Sequence, residues 1–261
     1  TFSAPGNNLS QVRQGLGGTQ SSSYGYFAGG SDPAVSPSYV DTVDRIDFLN
    51  ETASLPGNNL PSGRRLFGTS QSSSYGYFGG GYDGSNHINT INRLDFSSET
   101  FSAPGNNLSQ VRQGLGGVSG GASYRIKGSR TYGYFGGGDT APGGPGSVAT
   151  VDRIDFSNET TSAPGNNLTQ ARRSNAAVSS NSYGYFAGGF APPAVDTIDR
   201  IDFSNETVSA PGKDLPVANQ GLAAVSSSSY GYFGGGFSPS STAVVNRFDF
   251  FSETFSAPGN N

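Results

Sequence analysis

A chain of 261 residues with 40 Gly and 15 Pro but no Cys, Met or Trp has no means of building a disulfide framework, a zinc-thiolate cluster, a thiolate nucleophile or an iron-sulfur site, and its single histidine, His87, excludes a multi-histidine metal site within one chain. The net charge of −4, from 15 basic and 19 acidic residues, argues against a nucleic-acid or anionic-membrane partner, which would require a basic face, and no apolar run approaches the ~20 residues of a membrane span. Aromatic content of 12% with only 13% charged residues is the reverse of a solvated disordered chain, so the composition points to a folded, Gly-rich, all-β protein. The chain begins at Thr1 with nothing that reads as a signal peptide, and the expectation is a processed piece or an excerpt of something longer.

The first predicted element is a small-residue strand around Gly15 to Gln20. Tyr24 to Ala28 follows, alternating large and small side chains and stopping at Gly29-Gly30, where a strand would end in a turn. Val43 to Phe48 alternates with period two, placing Val43, Arg45 and Asp47 on one face and Asp44, Ile46 and Phe48 on the other, so both faces must be covered. A short strand near Thr52 to Leu55 stops at the turn signal Pro56-Gly57-Asn58-Asn59. No convincing helix is found anywhere.

The same order then repeats. Tyr-Gly-Tyr-Phe begins at Tyr24, Tyr75, Tyr132, Tyr183 and Tyr230, at spacings of 51, 57, 51 and 47 residues. Each copy is followed by a third strand ending in Phe48, Phe96, Phe156, Phe203 or Phe250, and Ser-Ala-Pro-Gly-Asn-Asn or a close variant carries Pro5, Pro56, Pro104, Pro164, Pro211 and Pro258. Five repeats result, roughly 9–59, 60–107, 108–167, 168–214 and 215–261, with 1–8 as an extra outer-strand segment. Phe2 to Gly18 is identical to Phe101 to Gly117. Four strands in about 50 residues match a propeller blade, so the expected fold is an all-β, five-bladed β-propeller of four-stranded antiparallel blades in a single domain. An open solenoid array uses the same repeats without closing and is the alternative. Closure would place a strand around Phe2 to Ala4 or around Phe255 to Ala257 at the edge of the last blade.

In order, the strand Tyr-Gly-Tyr-Phe-Ala-Gly-Gly, the strand Asp-Arg-Ile-Asp-Phe-Ser-Asn-Glu-Thr and the arginine after each Pro-Gly turn (Arg13, Arg64, Arg112, Arg172) resemble the kelch repeat across all five copies, except that the tryptophan is missing. The repeats also resemble those of repetitive structural proteins of marine cyanophages. These resemblances imply a kelch-like propeller and a virion or extracellular setting, with the chain in an appendage such as a tail fibre or baseplate decoration.

Spacing separates scaffold from candidate function. From the Phe of the third strand to the next proline is eight residues in every repeat, whereas the stretch between the second and third strands runs from 12 to 16. In a four-stranded antiparallel blade this loop emerges on the same face as the connection from the previous blade, so the variable loops (31–40, 82–89, 139–148, 190–195, 237–243) and the Arg-bearing lead-in turns are expected to share one rim. Arg13, Arg64, Arg112 and Arg172, with Gln14, Arg65, Gln113 and Arg173 after them, would ring one mouth of the channel; the fifth repeat has Asn219 and Gln220. Arginines so placed can hold a carboxylate or phosphate bidentately, or equally bond neighbouring blade carbonyls. The candidate ligand-binding rim is therefore Arg64, Arg65, Arg172, Arg173, Tyr39, Tyr82, His87, Phe190 and Phe237. For His87 the plain alternative is a surface hydrogen-bonding residue.

Arg112 to Tyr132 carries an insertion, expected to be a lengthened hairpin on the opposite face, with Tyr124, Arg125, Lys127 and Arg130 as an alternative site. The pairs Arg45/Asp47, Arg93/Asp95, Arg153/Asp155, Arg200/Asp202 and Arg247/Asp249 lie two apart on a strand, about 7 Å along one face, and their fivefold recurrence reads as structural. Asn50, Asn158 and Asn205 begin Asn-Glu-Thr triplets that turn chemistry explains without glycans. No asymmetric carboxylate pair of the kind a glycosidase needs stands out. The expectation is a non-enzymatic binding or structural module with no catalytic residue, metal or cofactor. Its partners would be other virion proteins or a cell-surface glycan, with homo-oligomers formed through a longer parent chain. The alternative is a free carbohydrate-binding lectin.

Overall fold

The computed structural model describes residues 7–32, 34, 36, 38–120, 131–141 and 146–258. Small residues and Tyr-Gly-Tyr-Phe alternate into short strands, and double glycines, Asp-capped turns and Pro-Gly turns interrupt them at fixed intervals. Blade one is β1 (Gly17–Gln20), β2 (Tyr24–Ala28), β3 (Val43–Asp47) and β4 (Ala53–Ser54). Blade two is β5 (Gly68–Gln71), β6 (Tyr75–Gly79), β7 (Ile91–Asp95) and β8 (Phe101–Ser102). Blade three is β9 (Gly116–Gly120), β10 (Tyr132–Gly136), β11 (Val151–Asp155) and β12 (Thr161–Ser162). Blade four is β13 (Ala176–Ser179), β14 (Tyr183–Ala187), β15 (Ile198–Asp202) and β16 (Val208–Ser209). Blade five is β17 (Ala223–Ser226), β18 (Tyr230–Gly234), β19 (Val245–Asp249) and β20 (Thr254–Ser256). Each blade is a four-stranded antiparallel sheet of consecutive strands, there is no helix among the described residues, and the chain is an all-β, five-bladed β-propeller. The register is the same in every blade: Tyr24 faces Asp47 across β2 and β3 as Tyr75 faces Asp95, Tyr132 faces Asp155, Tyr183 faces Asp202 and Tyr230 faces Asp249.

The double glycine that ends each second strand has a conformational reason. Gly137 has φ +73°, in the left-handed region that penalises a Cβ, and a Cβ there would stand 2.6 Å from the carbonyl oxygen of Arg172. That carbonyl accepts the N–H of Gly138 at 2.8 Å, tying blade three to the turn that leads into blade four. At the other end, Asp47, Asp95, Asp155, Asp202 and Asp249 accept the N–H two residues on, while Asn50, Asn158 and Asn205 cap the N–H of Thr52, Thr160 and Thr207. The glutamate in each of these turns (Glu51, Glu99, Glu159, Glu206, Glu253) has φ between 53° and 60°, a region few non-glycine residues occupy.

The core lies between blades rather than within one. Tyr26, Tyr77, Tyr134 and Tyr185 are fully buried and each stacks on the phenylalanine after the third strand of the next blade: Tyr26 on Phe96, Tyr77 on Phe156, Tyr134 on Phe203 and Tyr185 on Phe250, at 4.9–5.6 Å between ring centres. Phe78, Phe135, Phe186 and Phe233 fill the same four interfaces from the following blade. A fully buried side chain of this size contributes about 1.5–3 kcal/mol. Along the lead-in turns a line of backbone bonds runs from blade to blade, Leu66 N–H to Gly15, Gly114 to Leu66, Ser174 to Gly114 and Gly221 to Ser174, at 2.6–2.9 Å.

Ring closure is the expectation this structure corrects. Strand β20 completes blade five, and Phe2 to Ala4 lies outside the described residues. Among the described residues, however, no hydrogen bond, ion pair, ring contact or apolar cluster joins blade five to blade one. Val225 is 70% exposed where its counterpart Val178 is 3% exposed, and Phe27, unlike the other four phenylalanines of its position, is only half-buried. Among the described residues four seams are packed and the fifth is open.

Candidate functional site

Each variable loop does share a rim with the lead-in turns. The residue after the turn arginine, or after Asn219 in blade five, bridges the first loop residue, and that residue bridges the loop's return: Gln14 with Ser31 and Tyr39, Arg65 with Tyr82 and His87, Gln113 with Asp139 and Ser147, Arg173 with Phe190 and Ala194, Gln220 with Phe237 and Ser241. Loop and turn are thus one three-layered backbone unit, which fixes where each side chain stands.

Within that unit the two arginine positions separate. Arg64 and Arg172, expected on the rim, are fully buried, as is Arg112. These guanidinium groups donate to carbonyls at the end of the second strand and just before the third, adding to the backbone N–H that the carbonyl before the third strand already accepts. Arg64 reaches the carbonyls of Phe78, Gly80 and Thr90 at 3.1–3.2 Å and Oδ1 of Asn92 at 2.8 Å. Arg172 bonds the Phe186 carbonyl at 2.9 Å and Asp199 at 2.6 Å, and Arg112 pairs with Asp152 at 2.5 Å. Arg13 pairs likewise with Asp44. Burial lowers the Arg13 and Arg112 guanidinium groups and pulls Arg64, which faces an amide instead of a carboxylate, down to about 10.

Arg65 and Arg173 stay on the rim, half-buried. Arg65 lies 5.3 Å from the Tyr39 ring centre and 6.0 Å from that of Tyr82, with Nη1 3.4 Å from Ser31 Oγ. Tyr39 and Tyr82 meet edge to face at 5.4 Å, and His87 packs on Tyr82 at 5.6 Å. Four of the nine rim candidates, from two blades, therefore form one cluster. His87 is buried rather than a surface hydrogen-bonding residue, and neither of its ring nitrogens has a protein partner. In the next pair of blades Arg173 bonds Asp139 at 2.9 Å and covers Phe190 at 4.9 Å. Phe237 stands apart and is 50% exposed.

The in-strand Arg/Asp pairs are not formed. Each Asp sits where the third strand ends and spends its carboxylate on the turn N–H groups, so the arginine reaches across to the next blade instead. Arg45 pairs with Glu99, Arg93 with Glu159, Arg153 with Glu206 and Arg200 with Glu253, at 2.7–2.8 Å, and each also lies over the first tyrosine of its own second strand. The same glutamates accept the hydroxyls of Tyr26, Tyr77, Tyr134 and Tyr185 at 2.9–3.1 Å. Burial first, and the adjacent carboxylate after it, raise these phenols well above their usual range. Arg247 of blade five has no carboxylate partner among the described residues.

Tyr124, Arg125, Lys127 and Arg130 of the insertion lie outside the described residues. Sequence reasoning missed an open cleft on the face opposite the rim, about 400 Å³, between the serine-rich turns 21–24 and 73–75 and the turn after β7. Among the described residues no three His, Cys, Asp or Glu side chains gather as a metal ion would require. The chain matches no protein-family model and no curated protein.

Proposed function

We propose that this chain is a non-enzymatic binding and structural module that recognises its target through the variable-loop rim. The observation that carries the reading is the Tyr39, Tyr82, Arg65 and His87 cluster. It breaks the fivefold repetition on a rigid scaffold, and it combines aromatic faces, which stack on sugar rings, with a guanidinium that pairs with carboxylates, backed by the buried imidazole of His87 against Tyr82. An acidic cell-surface glycan has matching chemistry. The kelch-like order of the repeats, and their resemblance to structural proteins of marine cyanophages, suit a virion appendage that serves in host attachment or assembly. A free lectin would use the same surface.

The test is binding to a glycan array and to whole cells. Arg65→Ala and Tyr82→Ala should each abolish binding with a nearly unchanged melting temperature, and so should replacement of loops 31–40 and 139–148 by the short loop 190–195. If binding survives these changes and is lost when 120–130 is deleted, recognition belongs to the other face and the proposal fails.

A further inference from the structure

The two exposed faces at the open seam are the two halves of the interface that the molecule builds four times internally. On blade five, Tyr232, Val225, Val245 and Arg247 occupy the positions that are buried or ion-paired in blades one to four, and all four are at least partly exposed. Arg247 is already held for pairing: Nε bonds Ser256 Oγ at 3.0 Å and the guanidinium lies 4.9 Å from the Tyr230 ring centre, as Arg45 bonds Ser54 and covers Tyr24. On blade one, Phe27 and Ile46 are half-buried, Phe48 is 49% exposed and Glu51 is exposed. Their counterparts Phe78, Leu94, Phe96 and Glu99 form the blade-two side of the first interface. Glu51 even has the same left-handed backbone that aims Glu99, Glu159, Glu206 and Glu253 at their arginines. One face therefore offers a cation, a phenol and apolar side chains; the other offers the carboxylate and aromatic ring that meet them in every internal seam.

We infer that blade five of one chain docks on blade one of a second copy, head to tail, with Arg247 and Tyr232 meeting the partner copy's Glu51 and Phe48. Such an interface is heterologous, using different patches on the two copies, so it builds rings or filaments according to the angle it sets. It adds to the rim reading and does not depend on it.

Because the chain has no cysteine, single cysteines can be placed at will. Arg247→Cys and Glu51→Cys proteins are mixed and treated with a short bismaleimide. Linked pairs should appear in the mixture and be absent from either protein alone. By sedimentation equilibrium, the mass should rise with concentration. Arg247→Glu should weaken self-association at least tenfold, because a partly buried ion pair becomes a like-charge contact, and Arg247→Glu with Glu51→Arg should restore it. A mass equal to one chain at every concentration overturns the inference. So does a protein carrying both cysteines that cross-links only within itself, which would mean that blade one of the same chain closes the seam.

Discussion

In blades one, three and four the aspartate facing the buried arginine has a second task. Asp44, Asp152 and Asp199 accept the backbone N–H of Ser10, Ser109 and Thr169 as well as the guanidinium. In blades two and five that N–H does not exist, because Pro61 and Pro216 occupy the position, and the aspartate is replaced by Asn92 and Asn246. The physical reason is that a buried carboxylate needs more than one donor, and proline removes one; in blades one and four the N–H and the guanidinium reach different oxygens, and in blade three both reach Oδ2. This can be tested with Asn92→Asp, Pro61→Ser and the pair.

Burial brings Arg64 down to about 10, which disfavours its charged form by roughly 3 kcal/mol at ~1.4 kcal/mol per factor of ten. Asn92 already accepts one bond, so a carboxylate there should recover only about 1–2 kcal/mol. In the single variant the second oxygen faces Pro61 undonated, at a cost of about 1–3 kcal/mol, so Asn92→Asp alone should be neutral or destabilising. Pro61→Ser alone should lose about 0.4–1 kcal/mol through the freer unfolded chain. The double variant should be more stable than the sum of the two by at least ~1 kcal/mol. Urea melts of the four proteins measure this. Additivity within ~0.5 kcal/mol, or Asn92→Asp alone matching the double variant, would refute the coupling.

Glu159→Gln should cost about 1–2 kcal/mol, since Arg93 and Tyr77 both lose a charged acceptor, whereas Glu51→Ala in dilute protein should change the melt by less than ~0.5 kcal/mol. Gly137→Ala should cost at least ~2 kcal/mol, because the positive φ and the Arg172 carbonyl both oppose a Cβ. The native phenols of Tyr26, Tyr77, Tyr134 and Tyr185 titrate above their unfolded value of ~10. Their contribution is thus fully present below pH ~10 and lost as pH climbs from there through the native values. Melts across that range should show the fall, and Tyr77→Phe should reduce its slope.

Strand positions, the double-glycine stops and the shared rim were legible because each rests on local chemistry: period-two alternation, φ above zero, and fixed against variable length. The partner of Arg45 was not, since Glu99 lies a whole repeat away and Asp47 offered a nearer candidate on the same face. A signal existed all the same: a glutamate recurs three residues after every third-strand phenylalanine, with no other role. The burial of Arg64 and Arg172 was likewise hidden, because their acceptors on Phe78, Asn92, Phe186 and Asp199 lie 14 to 28 residues further along the chain. The rim cluster could be assembled only in three dimensions, since Tyr39 and Tyr82 belong to different blades.

Among the described residues every blade is made of consecutive strands, and none lends a strand to its neighbour. At the level of the gene, this makes the blade a unit of inheritance. The seventeen-residue identity between Phe2–Gly18 and Phe101–Gly117 is the kind of match at which misaligned copies recombine. An unequal exchange there would add or remove whole blades in frame and rejoin interfaces of the same design. Lineages carrying this array should therefore differ in blade number more readily than in blade sequence.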